Sequence, residues 1–161
     1  MNLKQIISSY VISPKTQALL PERHIDYCTK IVETDQTYYI NTPILSLIEQ
    51  ACLEGYSTYE GRRAAVKHFT GYHKKIPIPI IPSQNIFAFP TLSPQQFDCC
   101  WLFPKHIQSI QPSPQNKTHS IVKMKNNQIL LIKQSYNILR KQMHRSAFTM
   151  VIQRDRASIH N

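Results

Sequence analysis

The sequence predicts a single α+β domain, residues 1–161, in which an antiparallel sheet carries about three helices. Three observations predict it. The chain of 161 residues is 42% apolar, enough for one compact core and too apolar for disorder throughout. Helical periodicity is confined to three segments, each with its own start signal. Between the second and third lie Pro77, Pro79, Pro82, Pro90, Pro94, Pro104, Pro112 and Pro114. That stretch cannot be helical and reads as extended or edge-strand segments joined by turns.

Taken in order, residues 5–12 and 17–20 read as strands about the turn Ser13-Pro14-Lys15. Residues 28–33 and 37–40 form a hairpin turning at Thr34-Asp35-Gln36, with Thr37, Tyr38, Tyr39 and Ile40 as strong strand formers. The first helix covers 43–54. Thr42 supplies its cap, Pro43 its first position and Gly55 its stop, and Ile44, Leu47, Ile48, Ala51 and Cys52 make one apolar stripe. A second helix covers 58–70, with Ser57 and Glu60 as a capping box and Gly71 as its end. Residues 119–125 and 128–133 form a second hairpin across Asn126-Asn127, residues that tolerate positive φ. In it Lys123 and Lys125 share a face with Ile121. The last helix, 136–153, is capped by Ser135. Its apolar stripe is Tyr136, Leu139, Met143, Ala147 and Met150, which leaves Arg140, Lys141, His144 and Arg145 as a basic outer face.

Charge is distributed unevenly. Residues 1–60 hold four basic and seven acidic residues, net −3. Residues 61–161 hold fifteen basic residues and only Asp98 and Asp155, net +13. A one-sided surplus of this size points to a polyanion-binding face. Its densest part is Arg62, Arg63, Lys67, Lys74 and Lys75, five cations within fourteen residues, with Glu60 the one acid nearby. No hydrophobic run approaches the roughly 20 residues that span a bilayer. Residues Met1 to Tyr10 lack the apolar core and cleavage site of a secretory signal. No basic helix with a bulky apolar face lies at a chain end, and no lipidation motif is present. These features place the protein in the cytoplasm, with no membrane partner.

The sequence offers little catalytic chemistry. It has no glycine-rich phosphate loop, no H-E-x-x-H, no G-x-S-x-G and no kinase motif set. Cys28 and Cys52 are isolated and Cys99 and Cys100 adjacent, without a C-x-x-C pair, so reduced thiols packed as small apolar groups are the expectation. A zinc site from Cys99, Cys100, His68 and His73 is the alternative, disfavoured because adjacent cysteines chelate a tetrahedral ion poorly. A Cys–His dyad from Cys99 or Cys100 is the corresponding enzyme reading. We expect no cofactor, no metal and no catalysis.

Nucleic-acid motifs fit better. Helix 43–54, a short turn and basic helix 58–70 have helix-turn-helix spacing, with hairpin 119–133 as the rival DNA-entering element. Gln84, Asn85, Asn126 and Asn127 are base-reading residue types, though they are also ordinary turn residues. Phe87, Phe89, Trp101 and Phe103 could stack on bases or form one face of a sheet core. A basic sheet with such aromatics would also serve RNA, which is the alternative partner to duplex DNA.

The run Cys52-Leu53-Glu54-Gly55-Tyr56-Ser57-Thr58-Tyr59-Glu60-Gly61-Arg62-Arg63-Ala64-Ala65 resembles a segment of the competence transcription factor ComK family of Gram-positive bacteria. Thr58 stands between Ser57 and Tyr59 where the family segment runs S-Y. Thr70, Lys75-Ile76-Pro77-Ile78-Pro79-Ile80, Phe89-Pro90-Thr91-Leu92-Ser93-Pro94, Cys99-Cys100-Trp101-Leu102 and Ser135-Tyr136 continue the resemblance in register over roughly residues 10–152. It implies a transcription activator of DNA-uptake genes that binds A/T-rich boxes, partly through the minor groove, as a homodimer or higher homo-oligomer. Longer relatives carry an aromatic and acidic C-terminal tail that a Clp-protease adaptor recognises. This chain stops at Asn161 without one, so that partner is not expected. The resemblance makes Arg62 and Arg63 the first candidates for DNA contact. Lys67, Lys74 and Lys75 follow as phosphate ligands, with Lys123, Lys125, Arg140 and Arg145 as further DNA-binding residues. Pairing with Glu60 or Glu54 would give Arg62 a structural role instead.

Overall fold

The structure, a computed structural model, describes residues 3–159. The chain runs β1 (Ile6–Ile7), β2 (Thr16–Pro21), β3 (Thr29–Glu33), β4 (Thr37–Ile40), α1 (Ile44–Glu54), α2 (Tyr59–Thr70), β5 (Ile78–Ile81), β6 (Ile86–Pro90), β7 (Trp101–Leu102), β8 (Ile107–Pro112), β9 (Ser120–Met124), β10 (Ile129–Ile132) and α3 (Tyr136–Ile159). Seven strands form one sheet in the order β1-β4-β3-β2-β7-β6-β5, and three form a second, β10-β9-β8. The α+β class and the three helices are as expected. The main sheet is mixed rather than wholly antiparallel, because β1 pairs parallel with β4.

Alternation along the central strands divides the core into two layers. Leu19, Ile31 and Trp101 face one way, with Ile78 and Ile80, and pack under Leu47, Ile48 and Ala51 of α1 and Val66 of α2. Their neighbours Ala18, Val32, Phe89 and Leu102 face the other way, onto Val122, Met124 and Ile132 of the small sheet and Leu139 of α3. Each such large apolar side chain contributes about 1.5–3 kcal/mol on burial. The large sheet is therefore a middle layer, with α1 and α2 on one face and the small sheet and α3 on the other.

Both expected hairpins form, the second turning at Asn127 with φ 72°. The strand expected over 5–12 shrinks to Ile6–Ile7. The chain beyond it is held as a loop, where the Tyr10 hydroxyl donates to Glu33 Oε2 at 2.7 Å. The proline-rich stretch yields β5, an edge strand that tolerates Pro79, together with β6, β7 and β8. Contrary to expectation it also holds two single 3₁₀ turns, Pro82–Gln84 and Pro104–His106. Each starts on a proline whose missing N–H would be unpaired there anyway.

The join between α1 and α2 differs in detail from the sequence reading. Pro43, not Thr42, occupies the cap position of α1. At the other end Ser57 N donates to Cys52 O and Tyr56 N to Leu53 O, a Schellman arrangement with Tyr56, not Gly55, in the left-handed region at φ 62°. Gly55 is required by crowding: a Cβ there would lie 2.7 Å from Ile80 O. Because Ser57 is tied back to α1, the next residue, Thr58, caps α2 by accepting from Gly61 N at 2.9 Å. Gly71 ends α2 in the left-handed region, as expected.

The last helix is longer than expected and buries a different stripe, Leu139, Gln142, Ser146 and Thr149, while Ala147 is exposed. Three polar residues can face the core because their hydrogen bonds close locally or onto neighbouring backbone. Ser146 Oγ donates to Gln142 O, and Thr149 Oγ1 to Arg145 O. The apolar pattern alone could not reveal that. No helix among the described residues is long and apolar enough to cross a membrane.

Candidate nucleic-acid interface

The feature that organises the basic residues is the loop after α2. Lys75 adopts φ 50°, a strained angle for a residue with a Cβ. Its carbonyl oxygen accepts from Gln142 Nε2 at 2.8 Å and from the Arg145 guanidinium at 3.3 Å. Arg145 also donates to Lys74 O at 2.8 Å and to Gln142 Oε1 at 2.7 Å, and its guanidinium lies 4.2 Å from the centre of the Tyr72 ring. Gln142 donates in addition to Pro90 O at 2.8 Å. The loop is thereby clamped to α3 and to the end of β6, with its two lysines held at the surface.

Three adjoining depressions run along this clamp. One of about 540 Å³ is lined by Glu60 and Arg63 of α2, by His73, Lys74 and Lys75, and by Ser93 to Gln95. The next, about 470 Å³, shares His73, Lys74 and Lys75 and reaches Lys141 and Arg145 of α3. The third, about 410 Å³, shares Tyr72, Lys141 and Arg145 and adds Asn137, Arg140 and His144. Together they form one furrow from α2 across the loop to α3, lined by six lysines and arginines against the single carboxylate of Glu60.

Those cations are mostly unpaired. Among the described residues, Arg63 alone of the fifteen basic residues after position 60 makes an ion pair, 3.8 Å from Glu60. Both partners reach solvent, so the pair is weak and exchangeable for a phosphate. Arg63, Lys74, Lys75, Arg140 and Arg145 of the sequence candidates therefore meet on one surface.

Four others do not line it. Arg62 points back to the α1–α2 join, where its guanidinium donates to Gly55 O at 2.7 Å; neither Glu54 nor Glu60 pairs with it. Lys67 is exposed on the last turn of α2 and lines none of the three depressions. Lys123 and Lys125 belong to the small sheet, whose hairpin tip docks elsewhere. Lys125 N donates to His106 O, Asn126 Nδ2 to Thr34 O, and His106 Nε2 lies 2.8 Å from Pro14 O. Lys141, His73, His144 and Asn137 were not singled out as contacts. One available signal was the complete absence of Asp and Glu from residue 99 to residue 154.

The rival chemistries find less support. Phe87, Phe89, Trp101 and Phe103 are buried in the core, so they offer no surface on which bases could stack. Asn85 and Asn127 close turns at positive φ. Burial pushes the thiol pKa of Cys52 up to about 11 and that of Cys100 up to about 12, and it raises Cys99. Such thiols stay protonated at neutral pH and are poor nucleophiles. Among the described residues, no three His, Cys, Asp or Glu side chains are grouped to hold a metal ion, so Cys99, Cys100, His68 and His73 do not form a zinc site.

No solved structure matches the chain. A curated relative, the "Competence transcription factor" of Bacillus subtilis (strain 168), is 33% identical over 152 residues, covering 93% of this chain and 78% of the relative. The family model described as "ComK protein" matches residues 7–158. With matches of that extent, the chain belongs to the ComK family.

Proposed function

We propose that the protein is a sequence-preferring, duplex-DNA-binding transcription activator of competence genes, and that the furrow between α2 and α3 is its DNA surface. The observation that carries this reading is the row of six cationic side chains with one carboxylate, set on a clamped backbone. The name of the Bacillus subtilis relative supports it. Lys74, Lys75, Arg140 and Lys141 would hold phosphates, releasing counterions. Arg63 would enter the narrow, strongly negative minor groove of an A/T-rich box. Arg62 and Arg145 would act by holding backbone, and Lys67, Lys123 and Lys125 would add longer-range attraction. The protein would work in the cytoplasm as a homodimer or higher homo-oligomer; the exposed Phe148, Val151 and Ile159 on the outer half of α3 suit self-association. The test is duplex binding over a salt series with A/T-rich, G/C-rich and RNA competitors. A steep salt slope with A/T preference is expected, and equal competition by RNA would overturn the reading.

A further inference from the structure

We infer that β10 is a self-association edge: two copies of the chain pair their β10 strands antiparallel about a two-fold axis at Leu130, joining their three-stranded sheets into one. The inference rests on the homo-oligomer part of the reading above and deepens it by naming a contact, a direction and a register. The surface it uses is neither the furrow nor the outer half of α3.

Among the described residues the two sheets present four edges, and three carry the usual guards against strand addition. β1 is only two residues long. β5 holds Pro79 and a register shift between Pro79 and Ile81. β8 ends on Pro112 and shifts register between Ile107 and Ser109. β10, Ile-Leu-Leu-Ile, has no proline, no shift against β9 and no charged residue.

The backbone of that edge turns outward at its exposed residues. Met124 N donates to Gln128 O at 2.8 Å, one step beyond the pair of Lys123 with Ile129. Bonded pairs alternate along an antiparallel ladder, so Leu130 and Ile132 bond β9. The N–H and C=O groups of Ile129 and Leu131 therefore face away from β9. Their side chains are 65% and 61% exposed, whereas Ile132 is buried. Beside the strand an open depression of about 340 Å³, lined by Leu20, Leu92, Cys100, Leu131 and Ile132 among others, leaves room for an incoming strand.

A second copy fits this edge because the edge complements itself. With the axis at Leu130, Ile129 lies opposite the partner's Leu131 and Leu131 opposite the partner's Ile129. Each of these pairs exchanges both N–H···O bonds and buries two apolar side chains against each other. Ile121, opposite Leu131 within the chain, extends the apolar strip on both sides. Like charges stay apart. Lys133 falls opposite the partner's Asn127. The two copies of Lys123, each beside its own Ile129, are separated by three strand spacings, about 14 Å, beyond the Debye length of about 8 Å at physiological salt. The contact is short, so a reversible, concentration-dependent dimer is expected.

Sedimentation equilibrium of the whole chain over a concentration series, with and without an A/T-rich duplex, reads the dimer. Leu131→Pro deletes an outward N–H and leaves the bonds to β9 intact, as an edge strand allows. It is expected to weaken dimer formation at least tenfold with an unchanged far-ultraviolet spectrum. Leu131→Lys, which changes only an exposed side chain, should do the same. Mixed Ile129→Cys and Leu131→Cys single variants should cross-link to each other under diamide more than either does with itself, above the wild-type background. Bonded pairs stand about 5.5 Å apart at Cα, within disulfide reach. Folded Leu131→Lys protein that associates like the wild type, or no excess cross-linking in the mixture, overturns this inference alone. A wild type that stays monomeric at every concentration, on and off DNA, overturns the homo-oligomer reading with it and leaves the edge to a different partner. A wild type that dimerises but shows no salt-dependent duplex binding overturns the DNA reading alone.

Discussion

Gln142, buried on α3, donates its carboxamide N–H to the carbonyl oxygen of Lys75 at 2.8 Å, 67 residues away in sequence. This contact joins the two basic segments of the chain, because the second N–H donates to Pro90 O and the carboxamide oxygen accepts from Arg145. One neutral side chain thus fixes a backbone carbonyl, a strand end and a guanidinium beneath a surface of like charges.

Gln142→Ala should therefore cost about 2–3 kcal/mol, since it leaves the buried Pro90 carbonyl and the half-buried Lys75 carbonyl each short of a partner, as well as a small cavity. The urea midpoint reads the loss. DNA affinity should fall in parallel, because Lys74 and Lys75 would no longer be held in place. A variant as stable as the wild type would show that Arg145 alone secures the loop.

Arg62 and Arg63 are adjacent, yet they should fail in opposite ways. Arg62→Ala removes a charge-assisted bond to Gly55 O and should cost about 1.5–3 kcal/mol. The folded fraction that remains should bind DNA nearly normally. Arg63→Ala removes only an exposed ion pair, so stability should change by less than about 0.5 kcal/mol, while duplex affinity drops at least tenfold. Melting midpoints and binding isotherms on the two single variants separate the roles.

This pair also shows how far the sequence could be read. The helices, both hairpins and the polarity of α1 follow from local rules, since caps, periodicity and turn residues act within a few positions. The direction of Arg62 does not, because it depends on Gly55 being pressed against Ile80 O, a contact made only when β5 lies under the helix join. The furrow was half legible: its cations were visible in the charge asymmetry, but their grouping depends on a strained Lys75 and on Gln142, a residue no charge count would select. The buried polar stripe of α3 was hidden for a related reason, because side chains such as Ser146 and Thr149 satisfy themselves against their own helix.

Salt dependence should distinguish the two basic surfaces. Lys74→Ala should lower the slope of log affinity against log salt by about one unit, equally for every duplex. Lys125→Ala should leave the slope within error, because its hairpin docks near Thr34 and Pro14 rather than along the furrow. Equal slope changes for the two variants would enlarge the interface to include the small sheet.

Stability should also fall with pH through one histidine. His106 ends the 3₁₀ turn before β8, is half-buried, faces the Pro14 carbonyl through Nε2 and has Lys105 and Lys125 nearby. Burial, reinforced by those two lysines, holds its pKa below the ordinary 6.5, although the Pro14 hydrogen bond opposes the shift. Folding thus favours the neutral ring. Above pH 6.5 the imidazole is neutral in both states, and its contribution is fully present. As pH falls below 6.5 the unfolded chain takes up the proton first, so stability declines until the folded pKa is passed. His106→Gln keeps an N–H donor for Pro14 O but cannot titrate. Urea midpoints at pH 7.5 and pH 5 should fall more for the wild type than for this variant. An equal fall in both would assign the acid sensitivity to other groups and leave His106 as a neutral strut between the small sheet and the Ser13–Thr16 turn.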